Sequence, residues 1–188
     1  MSRTPSAVKI LILVGSLRAA SVNRQLAQLV IDTAPETMHL ELFDRLGELP
    51  HYNEDIDNDP PPEPVGALRN AAHRADALLM VTPEYNGSTP GVLKNAVDWL
   101  SRPYGRSPMK GKPAAVIGAS LGQYGGRWAH DETAKSLGIA GLRQLDDVNL
   151  SIPTKALRER HPREHPHIVD GLRAIVGRLA DEVRMPEG

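Results

Sequence analysis

Residues 8–14, V-K-I-L-I-L-V, end on Gly15 and open into a short polar loop, and no other stretch restricts the fold as much. Val8, Ile10, Leu11, Ile12, Leu13 and Val14 are apolar at odd and even positions alike. A strand wetted on one face alternates, whereas one covered on both faces does not, so this run predicts a core strand of a parallel sheet. The next eight residues include Ser16, Arg18, Ser21 and Asn23, and an amphipathic helical pattern follows with Leu26, Ala27, Val30 and Ile31 on one face. A helix starting there aims its unpaired N–H groups and the positive end of its dipole back over the strand's carboxyl edge. The loop then reads as an anion site, with hydroxyls, an amide and the Arg18 fork as ligands for phosphate oxygens. The same residues also admit a plainer role, in which Ser21 or Asn23 caps the helix and Arg18 is a surface charge. Neither the Gly-Lys-Ser/Thr ending of a P-loop nor the three spaced glycines of a dinucleotide fingerprint is present.

The chain continues as alternating strand and helix signals. Residues 38–42 alternate like a short edge strand. Residues 43–64 are polar and proline-rich and predict a long surface loop, of a length that usually serves function or partner contacts. A helix is expected over 65–74 with Leu68, Ala71 and Ala72 inward, and a buried strand over 75–81. A loop with two prolines and two glycines, 82–91, follows it. Its backbone is stiff, and its Tyr85, Asn86 and Ser88 offer a flat face and hydrogen-bonding groups suited to a planar ligand. Alternatively it is only a closing turn, with Glu84 and Lys94 solvated. A helix over 92–100 places Trp99 either on its packed face or at an interface.

Residues 101–112 form a basic connector, read as solvated or as attracting a phosphorylated cosubstrate, with Arg106 a candidate for a 2′-phosphate. A fourth strand is expected over 113–119, then the glycine-rich loop 120–126, a helix over 127–137, a fifth strand over 146–152 and a closing helix over 167–183. Five strands separated by helices argue for a doubly wound parallel sheet of order 2-1-3-4-5, in which the loops after strands one, three and four converge.

Composition narrows the chemistry. With 188 residues and no cysteine, the chain is expected to form one domain over 1–188 without disulfides, thiolate metal sites or a Cys nucleophile, so redox chemistry needs a bound cofactor. A formal net charge of −1 and scattered cations argue against nucleic acid or an acidic membrane as partner. Residues 1–7 carry no apolar stretch and no run of about 18 apolar residues occurs, so a cytoplasmic, soluble protein is expected. His161, His165 and His167 crowd together, but Pro162 and Pro166 break the helix a ligand pair would need, so no metal site is assigned. His130 is read as a surface or capping histidine, or as an active-site edge. No Gly-x-Ser-x-Gly elbow marks a Ser hydrolase.

Gly15-Ser16-Leu17-Arg18 with Ser21 and Asn23, then Pro83-Glu84-Tyr85-Asn86-Gly87-Ser88, then 90–99 as P-G-V-L-K-N-A-V-D-W, together resemble the NAD(P)H-dependent FMN reductases, which include quinone, chromate and azo-dye reductases. The resemblance implies an α/β flavodoxin-like three-layer sandwich, non-covalent FMN, NADPH or NADH as cosubstrate, and a homodimer or homotetramer. It implies that Ser16, Arg18, Ser21 and Asn23 meet the FMN phosphate. Pro83, Glu84, Tyr85, Asn86 and Gly87 would run along the ribityl chain and isoalloxazine, and Ser120, Gly122 and Gly125 would close the other side. Hydride then passes from nicotinamide to the flavin N5 and on to a quinone, flavin, metal-oxyanion or azo acceptor, with no side chain required as acid or base. Residues 43–64 and the helix after Pro90 are the candidate dimer contact. Two rivals are a non-enzymatic flavodoxin-type electron carrier, normally more acidic than this chain, and a nucleoside-processing transferase with Glu84 as nucleophile.

Overall fold

In the computed structural model, which describes residues 7–185 and only the backbone at 146, 147 and 149, one parallel sheet carries the chain. Its strands are β1 Val8–Val14, β2 Met38–Phe43, β3 Ala77–Val81, β4 Pro113–Ser120 and β5 Arg143–Pro153, in the order β2-β1-β3-β4-β5. The helices are α1 Val22–Thr33, α2 Glu63–Arg74, α3 Gly91–Leu100, α4 Arg127–Ile139 and α5 Pro166–Arg184. Of the domain expected over 1–188, residues 1–6 and 186–188 lie outside the described residues.

The apolar runs explain the three layers. Val8, Ile10, Ile12 and Val14 of β1 pack with Leu26 and Val30 of α1 and Leu172 and Ile175 of α5. Leu11 and Leu13 point the other way, to Val65 and Leu68 of α2 and to Leu93 and Trp99 of α3. β3 and β4 divide their side chains in the same manner, with Leu79 and Ile117 on one face and Met80 and Val116 on the other. At about 1.5–3 kcal/mol for each large aliphatic side chain buried, these two layers are the main stabilising term. β2 is the wetter edge, as its alternation predicts.

Three expectations need correction. Residues 43–64 are not a free surface loop. Leu46 and Leu49 are buried, two short 3-10 turns form at Leu46–Glu48 and Glu54–Ile56, and the segment is sewn onto α3. The Pro50 carbonyl accepts from Asn95 Nδ2 at 2.9 Å and Trp99 Nε1 at 2.8 Å, and the Tyr52 ring meets Trp99 edge-on at 4.9 Å. Trp99 is therefore a core residue, fully buried. β5 begins at Arg143, before the expected 146, because its pairing jumps from Ala114↔Gln144 to Val116↔Asn149 and the bulge hides the strand's pattern. Finally, the basic connector leads from α3 into the amino end of β4. It stands at the opposite sheet edge from the three converging loops, and Lys112 there is spent on the Ala72 carbonyl at 2.6 Å.

Candidate functional site

The chain leaves β1 for the β2 side and then crosses to β3, so strand order reverses between β1 and β3 and a crevice opens at their carboxyl ends. Five side-chain hydrogen bonds close the loops around it. Asn23, in the first turn of α1, donates from Nδ2 to the Ala119 carbonyl at 2.9 Å and accepts from the Ala119 N–H at 2.8 Å. The pairing of β3 with β4 ends where Thr82 N donates to Ile117 O at 2.8 Å, so two residues further along β4 the amide of Asn23 takes over the ladder. Gly118 makes room for it, since a Cβ there would fall on the Thr82 carbonyl and lie 2.9 Å from Asn23 Oδ1. Ser120 Oγ donates to the Glu84 carbonyl at 3.3 Å. The Glu84 carboxylate accepts from Trp128 N at 3.0 Å and Ala129 N at 3.2 Å, capping α4 from outside the helix. α4 needs this, because its own N-cap, Gly126, has no side chain and its first turn no acid.

At the α1 end, Ser16, Ser21 and Asn23 are buried and Arg18 is exposed. The first backbone bond of α1 runs from Gln25 N to Ser21 O at 3.0 Å, which leaves the N–H groups of Val22, Asn23 and Arg24 outside the ladder. Ser21 sits at the N-cap without making a side-chain cap, and the first turn holds no carboxylate. This donor set fits a phosphate monoester. Asn23 differs from its neighbours: its amide is committed to Ala119, so the group it has to offer an anion is its N–H.

The second loop has a different character. Pro83 is buried, while Tyr85, Asn86 and Gly87 are exposed. Tyr85 and Ser88 exchange both backbone hydrogen bonds at 3.1 Å, and Asn86 (φ 54°) and Gly87 (φ 73°) form the tight turn between them. That is the Asn-Gly turn in which both central residues take positive φ. The third loop lies flush on β5: a Cβ at Gly125, φ 63°, would sit 2.5 Å from Ile152 N. Gly122 faces the Glu84 carboxylate.

Several residues of the site were not singled out from sequence. Trp128 lies beside Gly87 and packs tilted on Tyr124 at 5.7 Å, so with Tyr85 three exposed aromatic rings border the crevice. Glu132 accepts from Ser88 Oγ at 2.6 Å and Thr89 N at 2.8 Å, and these bonds hold its carboxyl below its ordinary value of 4.5. Thr89 and Thr133 share a hydroxyl contact at 2.8 Å. Trp128 and Glu132, four residues apart on one face of α4, are ordinary surface residues by pattern, so only the fold shows their use. His130 is neither at the surface nor a cap: it is buried, with Nδ1 2.8 Å from Ser151 Oγ and Nε2 3.4 Å from the Thr82 carbonyl. His161 serves as a cap instead, accepting from Arg163 N at 3.1 Å. Among the described residues no group of three or more His, Asp or Glu is arranged to hold a metal ion.

Comparison with known proteins agrees with this geometry. Residues 8–156 match the model of the NADPH-dependent FMN reductases. A quinone reductase of Pseudomonas putida is 48% identical over 126 residues, 67% of each chain. An NAD(P)H-dependent FMN reductase of Pseudomonas aeruginosa is 48% identical over 145 residues, 77% of each chain. Among solved structures, the flavoenzyme FerB of Paracoccus denitrificans, an NAD(P)H:(acceptor) oxidoreductase, superposes with a TM-score of 0.83 at 34% identity, over 95% of this chain and 98% of that one. The chain belongs to the NADPH-dependent FMN reductase family, and is an oxidoreductase that works with FMN and a nicotinamide donor.

Proposed function

We propose that this protein is a quinone reductase with FMN seated across the crevice, its phosphate on the first turn of α1 and its ring against the loop 82–91. The observation that carries the reading is the pairing of an acid-free helix N-terminus, flanked by Ser16, Ser21 and Arg18, with an aromatic-bordered crevice on the same sheet edge. Bound FMN supplies the redox chemistry, accepting hydride from the nicotinamide and returning the electrons to an acceptor. The protein's own part is binding and placement. Ser16, Ser21, Arg18 and the free N–H groups hold the phosphate. Pro83, the Tyr85–Ser88 turn and the backbone of Ser120, Gly122 and Gly125 form the walls. Glu84 and Glu132 hold the two walls together, so the slot keeps its width without a ligand.

A quinone is the favoured acceptor because it is flat and matches a slot bordered by Tyr85, Tyr124 and Trp128. The name of the Pseudomonas putida relative points the same way. We further propose a single flavodoxin-like domain and a homodimer or homotetramer, since Tyr104 and Ile139, 91% and 80% exposed, leave apolar surface along α3 and α4. Among the described residues no helix is long and apolar enough to cross a membrane. The test is steady-state NADPH oxidation by the FMN-loaded protein with a benzoquinone, free FMN, chromate and an azo dye in parallel. The benzoquinone is expected to give the highest kcat/KM, and an acceptor-independent rate, or a preference for one of the others, overturns the quinone assignment.

A further inference from the structure

Beyond the carboxyl end of β5, the segment from Thr154 to His161 forms a cavity of about 820 Å³ against the first turn of α1, within the size range of small-molecule sites. We propose that this cavity binds phosphate groups of the nicotinamide dinucleotide. The inference rests on the reductase reading and adds the place where the donor is recognised.

Charge is the first argument. Lys155, Arg158, Arg160 and His161 line the cavity against a single carboxylate, Glu159. Most other described arginines pair with a carboxylate, as in Arg69 with Asp57 at 2.8 Å, Arg163 with Asp32 at 3.4 Å and Arg24 with Asp44 at 3.6 Å. Among the described residues no carboxylate pairs with Lys155, Arg158 or Arg160, so three cations stand within six residues with no partner of opposite sign. Such a cluster raises the local concentration of anions and gives guanidinium forks a phosphate to grip.

Polar burial is the second. Thr154, another lining residue, carries a buried hydroxyl with no hydrogen-bond partner. A buried unpaired hydroxyl costs about 1–3 kcal/mol, and a bound oxyanion relieves that cost. The backbone is also held in an unfavourable form here. Arg158 and Glu159 take φ of 48° and 62°, a conformation that non-glycine residues adopt at a cost of about 1–2 kcal/mol each. Strain of this kind gathers at ligand sites. His161 accepts from Arg163 N through Nδ1, so its Nε2 carries the proton and is a donor even in the neutral ring.

Position decides which phosphate is recognised. The cavity is walled by Val22 and Gln25 of α1, next to Ser21 and Asn23, and by Leu121 of the glycine-rich loop. The FMN phosphate has its own donors in the β1–α1 loop, and FMN has only one phosphate. The other phosphorylated species that the reaction requires is the nicotinamide dinucleotide, with its pyrophosphate and, in NADPH, its 2′-phosphate. Arg106, the sequence-based candidate for that group, lies in the connector at the other sheet edge.

The test is calorimetric binding of 2′,5′-ADP and of ADP to the FMN-loaded protein, wild type against Lys155→Gln/Arg158→Gln/Arg160→Gln. FMN affinity and the thermal midpoint are measured on the same samples, and a Lys155→Arg/Arg160→Lys variant controls for folding. The triple variant is expected to bind 2′,5′-ADP at least tenfold more weakly, with FMN affinity unchanged and the charge-conserving variant close to wild type. Loss confined to 2′,5′-ADP assigns the cavity to the 2′-phosphate, and equal loss with ADP assigns it to the pyrophosphate. Unchanged nucleotide binding overturns the site, as does a parallel loss of FMN, which would give the cations to the flavin phosphate. If NADPH fails to reduce the wild-type flavin, the reductase reading fails by itself, whereas unchanged 2′,5′-ADP binding in a protein that NADPH does reduce removes only this site.

Discussion

Replacing Asn23 by Ala tests how the crevice is held open. The Asn23 amide makes two buried hydrogen bonds to the main chain of Ala119, 2.9 Å and 2.8 Å long, across 96 residues of sequence. Alanine leaves the Ala119 N–H and C=O unpaired at the end of a central strand. Each orphaned buried group costs about 1–3 kcal/mol, so the expected loss is about 2–5 kcal/mol after some relaxation. For a chain of this size 1 kcal/mol moves the midpoint by roughly 2–4 °C, which puts the fall at roughly 4–20 °C. The assay is thermal unfolding by circular dichroism, without FMN, so that lost cofactor binding does not contribute. Asn23→Asp is the informative companion. It keeps an acceptor for the Ala119 N–H but turns a carboxylate toward the Ala119 carbonyl and toward any phosphate on α1. It should therefore lose more FMN affinity than Asn23→Ala for the same loss of stability. A midpoint for Asn23→Ala within about 2 °C of wild type would refute the clamp.

Arg18→Ala removes an exposed cation with no carboxylate partner among the described residues, so the apo midpoint should stay put while FMN affinity falls about 10- to 100-fold, read by fluorescence titration. Gly118→Ala drives a Cβ onto the Thr82 carbonyl and should cost at least about 3 kcal/mol or prevent folding, seen as loss of soluble protein or of a cooperative melt. Glu132 has a folded pKa below its ordinary 4.5, so its contribution to stability is complete above that value and is lost as the pH falls through the lowered folded value. Denaturant titrations should accordingly show wild type more stable than Glu132→Gln at neutral pH, with the gap closing in acid, and a gap independent of pH would contradict the Ser88 and Thr89 contacts.

The sheet and its order are legible in the sequence because β1, β3 and β4 are apolar on both faces and each ends in a loop of glycines, prolines and hydroxyls. Patterns of that kind are local, and local patterns survive reading. What escapes is set by partners far along the chain. Asn23 looks like a helix cap until Ala119 is beside it, and Glu84 looks like a solvated acid or a nucleophile until the bare N-terminus of α4 arrives above it. Prolines made residues 43–64 read as a loop, although the spacing of Leu46 and Leu49 and the waiting hydrogen-bond groups of Asn95 and Trp99 tie them to α3. The bulge in β5 shifts the alternation and so concealed the strand's first residues. His130 on an amphipathic helix carries no signal of burial, since its site is built by Thr82 and Ser151 from two different strands' ends.

The central claim is that the crevice at the carboxyl ends of β1, β3 and β4 holds FMN for reduction by a nicotinamide and delivery to a quinone. The most direct measurement is the visible absorbance of the purified protein, loaded with FMN and freed of excess, before and after anaerobic NADPH and then after a benzoquinone. Retained flavin that NADPH bleaches and the quinone restores is the predicted result. Flavin that neither NADPH nor NADH bleaches, or a protein that retains no FMN at all, would contradict it.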